Sequence, residues 1–368
     1  MGQTDGTSES GGGSAHRGPG SAAMVIAWAL VFPALGALAA YLITDRVVLP
    51  RMGLGPDLQR VVAIADHASE GLGERPVAVF LGDSLTIEGI DAGIVEGASA
   101  GWHAQNIGLN GINPTGLSVL LPAILDAKPD AVVFMFRPED LGDPGDIPVD
   151  RAYAYAYSGI AGHLDAGDDL SELTSLGKKS AEALRSGRYA QVVHFRSVPL
   201  RSINTIARRA LRSGMRAAAD DDWRSPHNMS MTSIGEQKLA THVANTLASI
   251  DKRAGAENKN TSVGAERIAA LAAMVRGAGG APVLVMAPQH PRIRERYETL
   301  GPMLRERLAA IAAANGGVFV DASMLLEEDG FADAIHPNGA GREKLSALIG
   351  SRLPRAAASR PDEGAGGL

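Results

Sequence analysis

The 368-residue chain contains no cysteine. That excludes disulfides, thiolate metal sites and a cysteine nucleophile, and it leaves the redox compartment open. Aromatic residues are scarce, at 4%, whereas there are 44 glycines. Because the glycines gather at turns and at both ends, this is an alanine- and glycine-rich globular composition rather than a disordered one. There is no excess of positive charge: the formal net charge of −6 argues against nucleic acid as a partner. No metal-spaced histidine pair, phosphate-cradling loop, dinucleotide fingerprint or internal repeat appears, so neither a metal nor an organic cofactor is expected.

What is present suffices for one large domain or two modest ones: 45% hydrophobic and 21% charged residues over this length. Residues 1–21 are Gly/Ser-rich and read as a disordered tail, and Gly6 stands where N-myristoylation would need Ser or Thr. From Ala22 to Ile43 there is no charge, and the stretch 22–44 is long enough for a transmembrane helix that tolerates Pro33. A signal peptide cut near "ALGALAA" is the rival, disfavoured by the long apolar core and the barely basic leader. Arg17 is the only Lys or Arg before this span, while Arg46, Arg51 and Arg60 follow it. The positive-inside rule would therefore hold the following domain in the cytoplasm, but that rule weakens for large domains. Residues 45–75 read as a membrane-proximal linker or helix.

From Pro76 onward strands and helices alternate. Strands are predicted at 76–82, 103–108, 130–136, 282–287 and 317–321, with helices over 115–128, 265–279 and 296–315 between them. This rhythm predicts an α/β fold with a mostly parallel sheet in three layers. It fails over about 150–262, which reads as a helical insertion carrying Arg201, Arg208, Arg209, Arg212 and Arg216. That row reads first as a solvated helix face, and otherwise as a contact for anionic lipid or polymer. "RAYAYAYSGIAGH" at 151–163 sets three tyrosines at alternating positions, expected as a strand or packed loop. Residues 351–368 read as a second disordered tail.

"VAVFLGDSLT" at 77–86 is an apolar run with the mark of a central parallel strand, ending on Gly82, Asp83 and Ser84. Ser84 falls just past the strand's carboxyl end, where open α/β sheets place ligands; otherwise it is simply a helix N-cap. "FADAIHPNGAGREKLSALI" at 331–349 supplies the counterpart. Asp333 and His336 lie three apart, so one turn of chain can bring the carboxylate to the imidazole Nδ1. Nε2 then remains free to take a proton from a serine hydroxyl, the division of labour that nucleophilic acyl transfer needs.

With "GDSL" at 82–85, "NIGLNGINPTGL" at 106–117 and "DAIHP" at 333–337, the sequence resembles the SGNH (GDSL) hydrolase superfamily over roughly residues 76–140 and 280–350. The resemblance implies a flavodoxin-like α/β/α domain over 76–350, with Ser84 as nucleophile, His336 as base and Asp333 as its orienter. The backbone N–H groups of Ser84 and Gly111 would form part of the oxyanion hole, with Asn110 a neighbour. The third block departs from the family pattern. After "AVVFMF" the family has Gly-x-Asn-Asp, whereas this chain has Arg137-Pro138-Glu139-Asp140. A carboxylate cannot donate to a developing oxyanion. Either Arg137 supplies the donor, or Glu139 turns away or is neutralised, or the site is weak; the plainest alternative is an Arg137–Glu139 surface pair worth little. Asp83 is a further candidate beside the substrate. Gln289 and His290, past the strand ending at Ala287, read first as a plain loop and otherwise as lining the site.

Together these features predict a single-pass membrane protein whose extracytoplasmic domain hydrolyses or transfers an acyl group, acetyl above all, on an envelope glycan or lipid. No cofactor or nucleic acid is expected; a polytopic membrane acyltransferase is a candidate partner. The alternatives are a catalytically degenerate scaffold of the same fold beside such an acyltransferase, and an esterase on the cytoplasmic face.

Overall fold

The computed structural model describes residues 19–43, 75–99, 101–142, 146–158, 178–185, 234–257, 261–298 and 300–354. The chain divides into Met1–Met52 and Gly53–Leu368. In the first unit, helix α1 covers Pro19–Ile43, 25 residues with Pro33 inside. Its large apolar side chains are exposed, Val25 at 67% and Leu30 at 69%, and Trp28 stacks on Phe32. Taken over the described residues, no helix is long and apolar enough to cross a membrane. The expected linker over 45–74, the first tail before Pro19, the row of arginines at 201–216 and the second tail beyond Pro354 lie outside the described residues.

The second unit is built on five parallel strands, β1 (Val77–Leu81), β2 (His103–Asn106), β3 (Ala131–Phe136), β4 (Ala281–Met286) and β5 (Val318–Asp321), in the order β2-β1-β3-β4-β5. Phe80 pairs with Asn106 on one side of β1, and Leu81 with Phe134 on the other. All five predicted strands are present within a residue or two of expectation. Because β1 and β3 are buried at every position, their sequences read as unbroken apolar runs rather than alternations, as strands covered on both faces do.

The remaining elements are α2 (Ser84–Gly89), α3 (Ala92–Ala98), α4 (Pro114–Leu125), α5 (Val149–Ser158), α6 (Lys178–Leu184), α7 (Glu236–Glu257), α8 (Thr261–Gly277), α9 (Leu300–Ala314) and α10 (Gly339–Arg352). Val79, Leu81, Val132, Phe134, Leu284 and Met286 face one layer, where Leu120, Ile124, Leu271, Val275, Leu304 and Leu308 of α4, α8 and α9 cover them. Phe80, Val133, Met135, Val283 and Val285 face the other, under Leu85, Val95, Leu345 and Ile349 of α2, α3 and α10. The order reverses between β1 and β3, which opens a crevice at their carboxyl ends, where such sheets hold ligands. Ser84 follows β1 and Arg137 follows β3.

Three expectations change. The tyrosine-rich stretch is helix α5, not a strand or loop, and Tyr155 is fully buried in the core; the alanines between its tyrosines favour helix. The helix predicted over 296–315 begins only at Leu300, after a 3₁₀ helix over Pro291–Tyr297. Pro302 has no N–H to donate and therefore belongs in a first turn. The last helix reaches Arg352, past the expected start of the tail.

Helix α8 packs directly on the segment that follows β3. A Cβ built on Gly264 would lie 2.2 Å from the Asp140 carbonyl oxygen and 2.4 Å from that of Leu141. In an exposed helix Gly→Ala stabilises by about 1 kcal/mol. Here the sign should invert, with Gly264→Ala destabilising by about 1–3 kcal/mol in chemical denaturation.

Candidate active site

Gly82 turns the chain out of β1. A Cβ there would sit 2.0 Å from Thr86 Oγ1, so only glycine lets α2 start immediately after the strand. Asp83, not Ser84, is the N-cap of α2: its Oδ1 accepts the Leu85 N–H at 2.9 Å, and its carbonyl accepts from Thr86 and Ile87. Ser84 is the first helical residue, and capping does not occupy its hydroxyl. Among the described residues neither the Ser84 nor the Gly111 N–H has an acceptor, and Gly111 has φ +60° in open space, a left-handed conformation that glycine adopts without strain.

Asn106, at the end of β2, has a role the sequence did not reveal. Fully buried, it donates through Nδ2 to the carbonyls of Thr86 at 2.8 Å and Ile90 at 2.9 Å, and its Oδ1 accepts the Gly108 N–H. It thus fixes the helix carrying Ser84 to the loop carrying Gly111. The one available signal was an amide closing an otherwise apolar strand. Asn110 offers its carbonyl to Arg151 of α5, so the insertion also holds this loop.

The third element is the loop before α10. Phe331 and Pro337 form an antiparallel bridge, the Ala332 N–H donates to the His336 carbonyl at 2.8 Å, and Asn338 caps α10 through Gly341. Inside this closed loop Asp333 Oδ1 accepts the N–H groups of Ile335 and His336, both at 2.8 Å, while Oδ2 lies 2.9 Å from His336 Nδ1. His336 Nε2 lies 2.8 Å from Ser84 Oγ. With Nδ1–H committed to the carboxylate, Nε2 is the acceptor of the serine proton. The sequence placed these three residues correctly relative to one another.

Burial alone would raise the Asp333 carboxyl. The hydrogen bond and charge of His336 and the two backbone donors outweigh it and lower the pKa from 3.8 to about 2. Asp333 is therefore ionised throughout the range in which the imidazole can act as a base.

The segment Arg137–Asp140 is not a surface pair: Pro138 and Glu139 are buried, and Arg137 and Asp140 are half-buried. Arg137 donates to Asp83 Oδ2 at 2.9 Å and lies 3.7 Å from Glu139 Oε1, which also accepts the Tyr297 hydroxyl at 2.7 Å. Glu139 is 5% exposed. Oε2 of Glu139 and Nε of Arg137 have no partner among the described residues. Asp140 accepts the Arg137 N–H at 2.7 Å, and burial pushes its carboxyl up from 3.8 to about 7 despite the attraction of Arg137. Burial opposes the Arg137 charge, but the carboxylates of Asp83, Glu139 and Asp140 more than offset it and raise its pKa. Burial, then the charge of Glu139 and its hydrogen bond, raise the Tyr297 phenol. Both Asp83 oxygens are thus engaged in holding structure, by the Leu85 N–H and by Arg137.

His290 is fully buried beneath Phe331, with ring centroids 4.9 Å apart, and its Nδ1 accepts the Arg292 N–H. It caps the 3₁₀ helix over Pro291–Tyr297 and does not line the site. Burial lowers its pKa, in keeping with a neutral core histidine. The Gln289 N–H donates to the Ser323 carbonyl, and the residue is likewise buried.

Because the folded Asp333 carboxyl titrates below its unfolded value, it contributes stability above about pH 4 that is lost as pH falls toward 2. After discounting for solvent screening, this amounts to about 1–2 kcal/mol. Urea denaturation at pH 5 and pH 3 should show about half of that loss in the wild type and a smaller one in Asp333→Asn.

No family model matches this sequence, and neither does any curated protein.

Proposed function

We propose that this chain is an SGNH-type serine acyl-ester hydrolase or O-acyltransferase built on a flavodoxin-like three-layer α/β/α domain. The observation that carries the proposal is the relay Asp333 Oδ2–His336–Ser84 Oγ, closed at 2.9 and 2.8 Å at the point where the strand order reverses. In the first step Ser84 Oγ attacks the ester carbonyl carbon and its proton passes to His336 Nε2. Asp333 holds Nδ1–H and stabilises the imidazolium. The tetrahedral oxyanion is held by the N–H groups of Ser84 and Gly111. As it collapses, the alkoxide leaves with the proton from His336, and Ser84 keeps the acyl group. Water or a sugar hydroxyl, deprotonated by His336, then attacks the acyl-serine and releases the enzyme.

Glu139 cannot supply the donor that the third block usually provides. Its Oε1 is engaged by Tyr297 and stands beside Arg137, so Glu139 serves to fix the guanidinium, and Arg137 supplies the positive charge near the oxyanion. The uncharged sequence from Ala22 to Ile43 and the resemblance to a superfamily with envelope-serving members support a membrane-anchored enzyme whose domain faces out of the cytoplasm and acts on an acylated glycan or lipid, with or without a polytopic acyltransferase beside it. An alkaline phosphatase fusion after Leu368 should then be active in a bacterial host. An inactive fusion, with a cytoplasm-maturing fluorescent protein bright at the same position, would place the domain inside.

A second function is favoured by one observation: a carboxylate with an unpartnered buried oxygen sits where the family keeps an amide. That suits a degenerate fold serving as a scaffold. Hydrolysis of a short activated ester by the full-length chain in detergent separates the two. The catalytic account expects turnover that Ser84→Ala abolishes with the fold intact by circular dichroism. Equal turnover in both proteins, or none in the wild type, would defeat it. Within that assay Arg137→Ala should lower kcat by about 10²–10³-fold, the typical loss for one oxyanion donor. An unchanged kcat in a folded Arg137→Ala protein would leave Ser84 and Gly111 as the donors.

A further inference from the structure

The helical insertion reaches the triad. Helix α7 is tied to the triad loop at several points. The Ile234 N–H, just before the helix, donates to the Ala332 carbonyl at 2.9 Å. Arg292 bridges Glu236 of α7 and Glu328 ahead of the loop. Val243 and Ile250 pack with Ile293, Tyr297 and Ala334. At the centre of this contact stands His242, whose Nδ1 lies 3.3 Å from the Ala334 N and 3.6 Å from Asp333 Oδ2. Oδ2 is the same oxygen that holds His336.

The two distances describe one nitrogen with two mutually exclusive uses. When Nδ1 carries no proton, it accepts the Ala334 N–H and pins the backbone between Asp333 and His336. Its lone pair is then engaged by that N–H, and it has no proton to offer the carboxylate. When Nδ1 carries a proton, it can no longer accept from Ala334 and becomes a donor toward Oδ2, where it competes with His336 Nδ1–H. We propose that His242 is a positioning residue for the triad acid, supplied by the insertion: neutral, it locks the loop in the productive geometry, and protonated, it draws Asp333 away from His336. As the site resembles a serine hydrolase, this rests on the function proposed above.

The charged groups on the elements packed around His242 leave Asp333 as its counterpart. Arg292 is held by Glu236 and Glu328, Arg296 by Asp251 at 3.5 Å, and Arg294 donates to the carbonyls of Gln289 and Leu326. In the segment after β3, which also packs on α7, Glu139 is engaged by Tyr297 and Arg137, and Asp140 by the Arg137 N–H. On α7 itself Lys238 and Asp251 flank it in sequence, and in the triad loop the only other titratable group is His336. Histidine is the side chain suited to such a change near neutral pH.

The test compares the wild type with His242→Asn, whose Oδ1 takes the place of Nδ1 as an acceptor but never carries a proton there. The acid limb of log kcat/KM against pH for a short activated ester should be steeper than one proton in the wild type and fall to one proton in His242→Asn. Superimposable limbs would overturn the proposal. Should His242→Asn fail to fold, His242→Gln replaces it. A second readout needs no turnover: ¹⁵N NMR of the wild-type imidazoles should show His242 as the Nε2–H tautomer at high pH, and the His336 Nδ1 signal should shift as His242 takes up its proton. Coupling in that spectrum without ester hydrolysis would sink the hydrolase function alone. Hydrolysis with the His336 signal indifferent to His242 would sink the positioning role alone.

Discussion

A carboxylate that stays ionised in a largely enclosed loop is the constraint around which the site is arranged. Asp333 would prefer a proton in such surroundings, and two backbone N–H groups together with the His336 ring reverse that preference. The loop exists to aim those donors. The Phe331–Pro337 bridge closes it, and the Asn338 cap anchors it to α10. Gly341 allows the close approach, since a Cβ there would fall 2.1 Å from the Gly330 carbonyl oxygen. On the opposite side Asn106 and Gly82 set the start of α2 so that Ser84 meets the imidazole. The parallel sheet brings the two halves together across its switch point.

The charge next to the start of α2 is governed by a second, less ordinary arrangement. One guanidinium is enclosed among Asp83, Glu139 and Asp140, with a tyrosine hydroxyl closing the far side. Removing either partner of such a pair strands the other without compensation, which typically costs about 3–5 kcal/mol. Glu139 is thereby tied to Arg137 as one of the carboxylates that fix the guanidinium. The substitution pattern Arg137-Pro138-Glu139-Asp140 is coherent only as a set, since Asp140 in turn caps the Arg137 N–H.

Much of this was legible in the sequence. The unbroken apolar runs of β1 and β3 announced strands covered on both faces, and the three-residue spacing of Asp333 and His336 announced their hydrogen bond. What could not be read depends on tertiary contact. Nothing local distinguishes Glu139 as a surface residue from Glu139 buried against Tyr297, because the partner is remote in sequence and lies in a stretch whose spacing predicts helix. His290 was a candidate because it follows a strand at the functional edge, yet the chain turns it inward beneath Phe331. His242 gave no signal at all: it sits in an amphipathic helix of an insertion whose periodicity says only that one face is covered, not that the covering surface holds the triad acid. Tyr155 misled by alternation, since a period of two among tyrosines does not make a strand when alanines fill the gaps.

The central claim is that Ser84 is a nucleophile activated by His336. The most direct measurement is a fluorophosphonate probe applied to the full-length chain in detergent, with the adduct located by peptide mass mapping. The account predicts a single adduct on the peptide containing Ser84, formed far more slowly in a folded His336→Ala protein. An adduct on another residue, or equal labelling with and without His336, would contradict it.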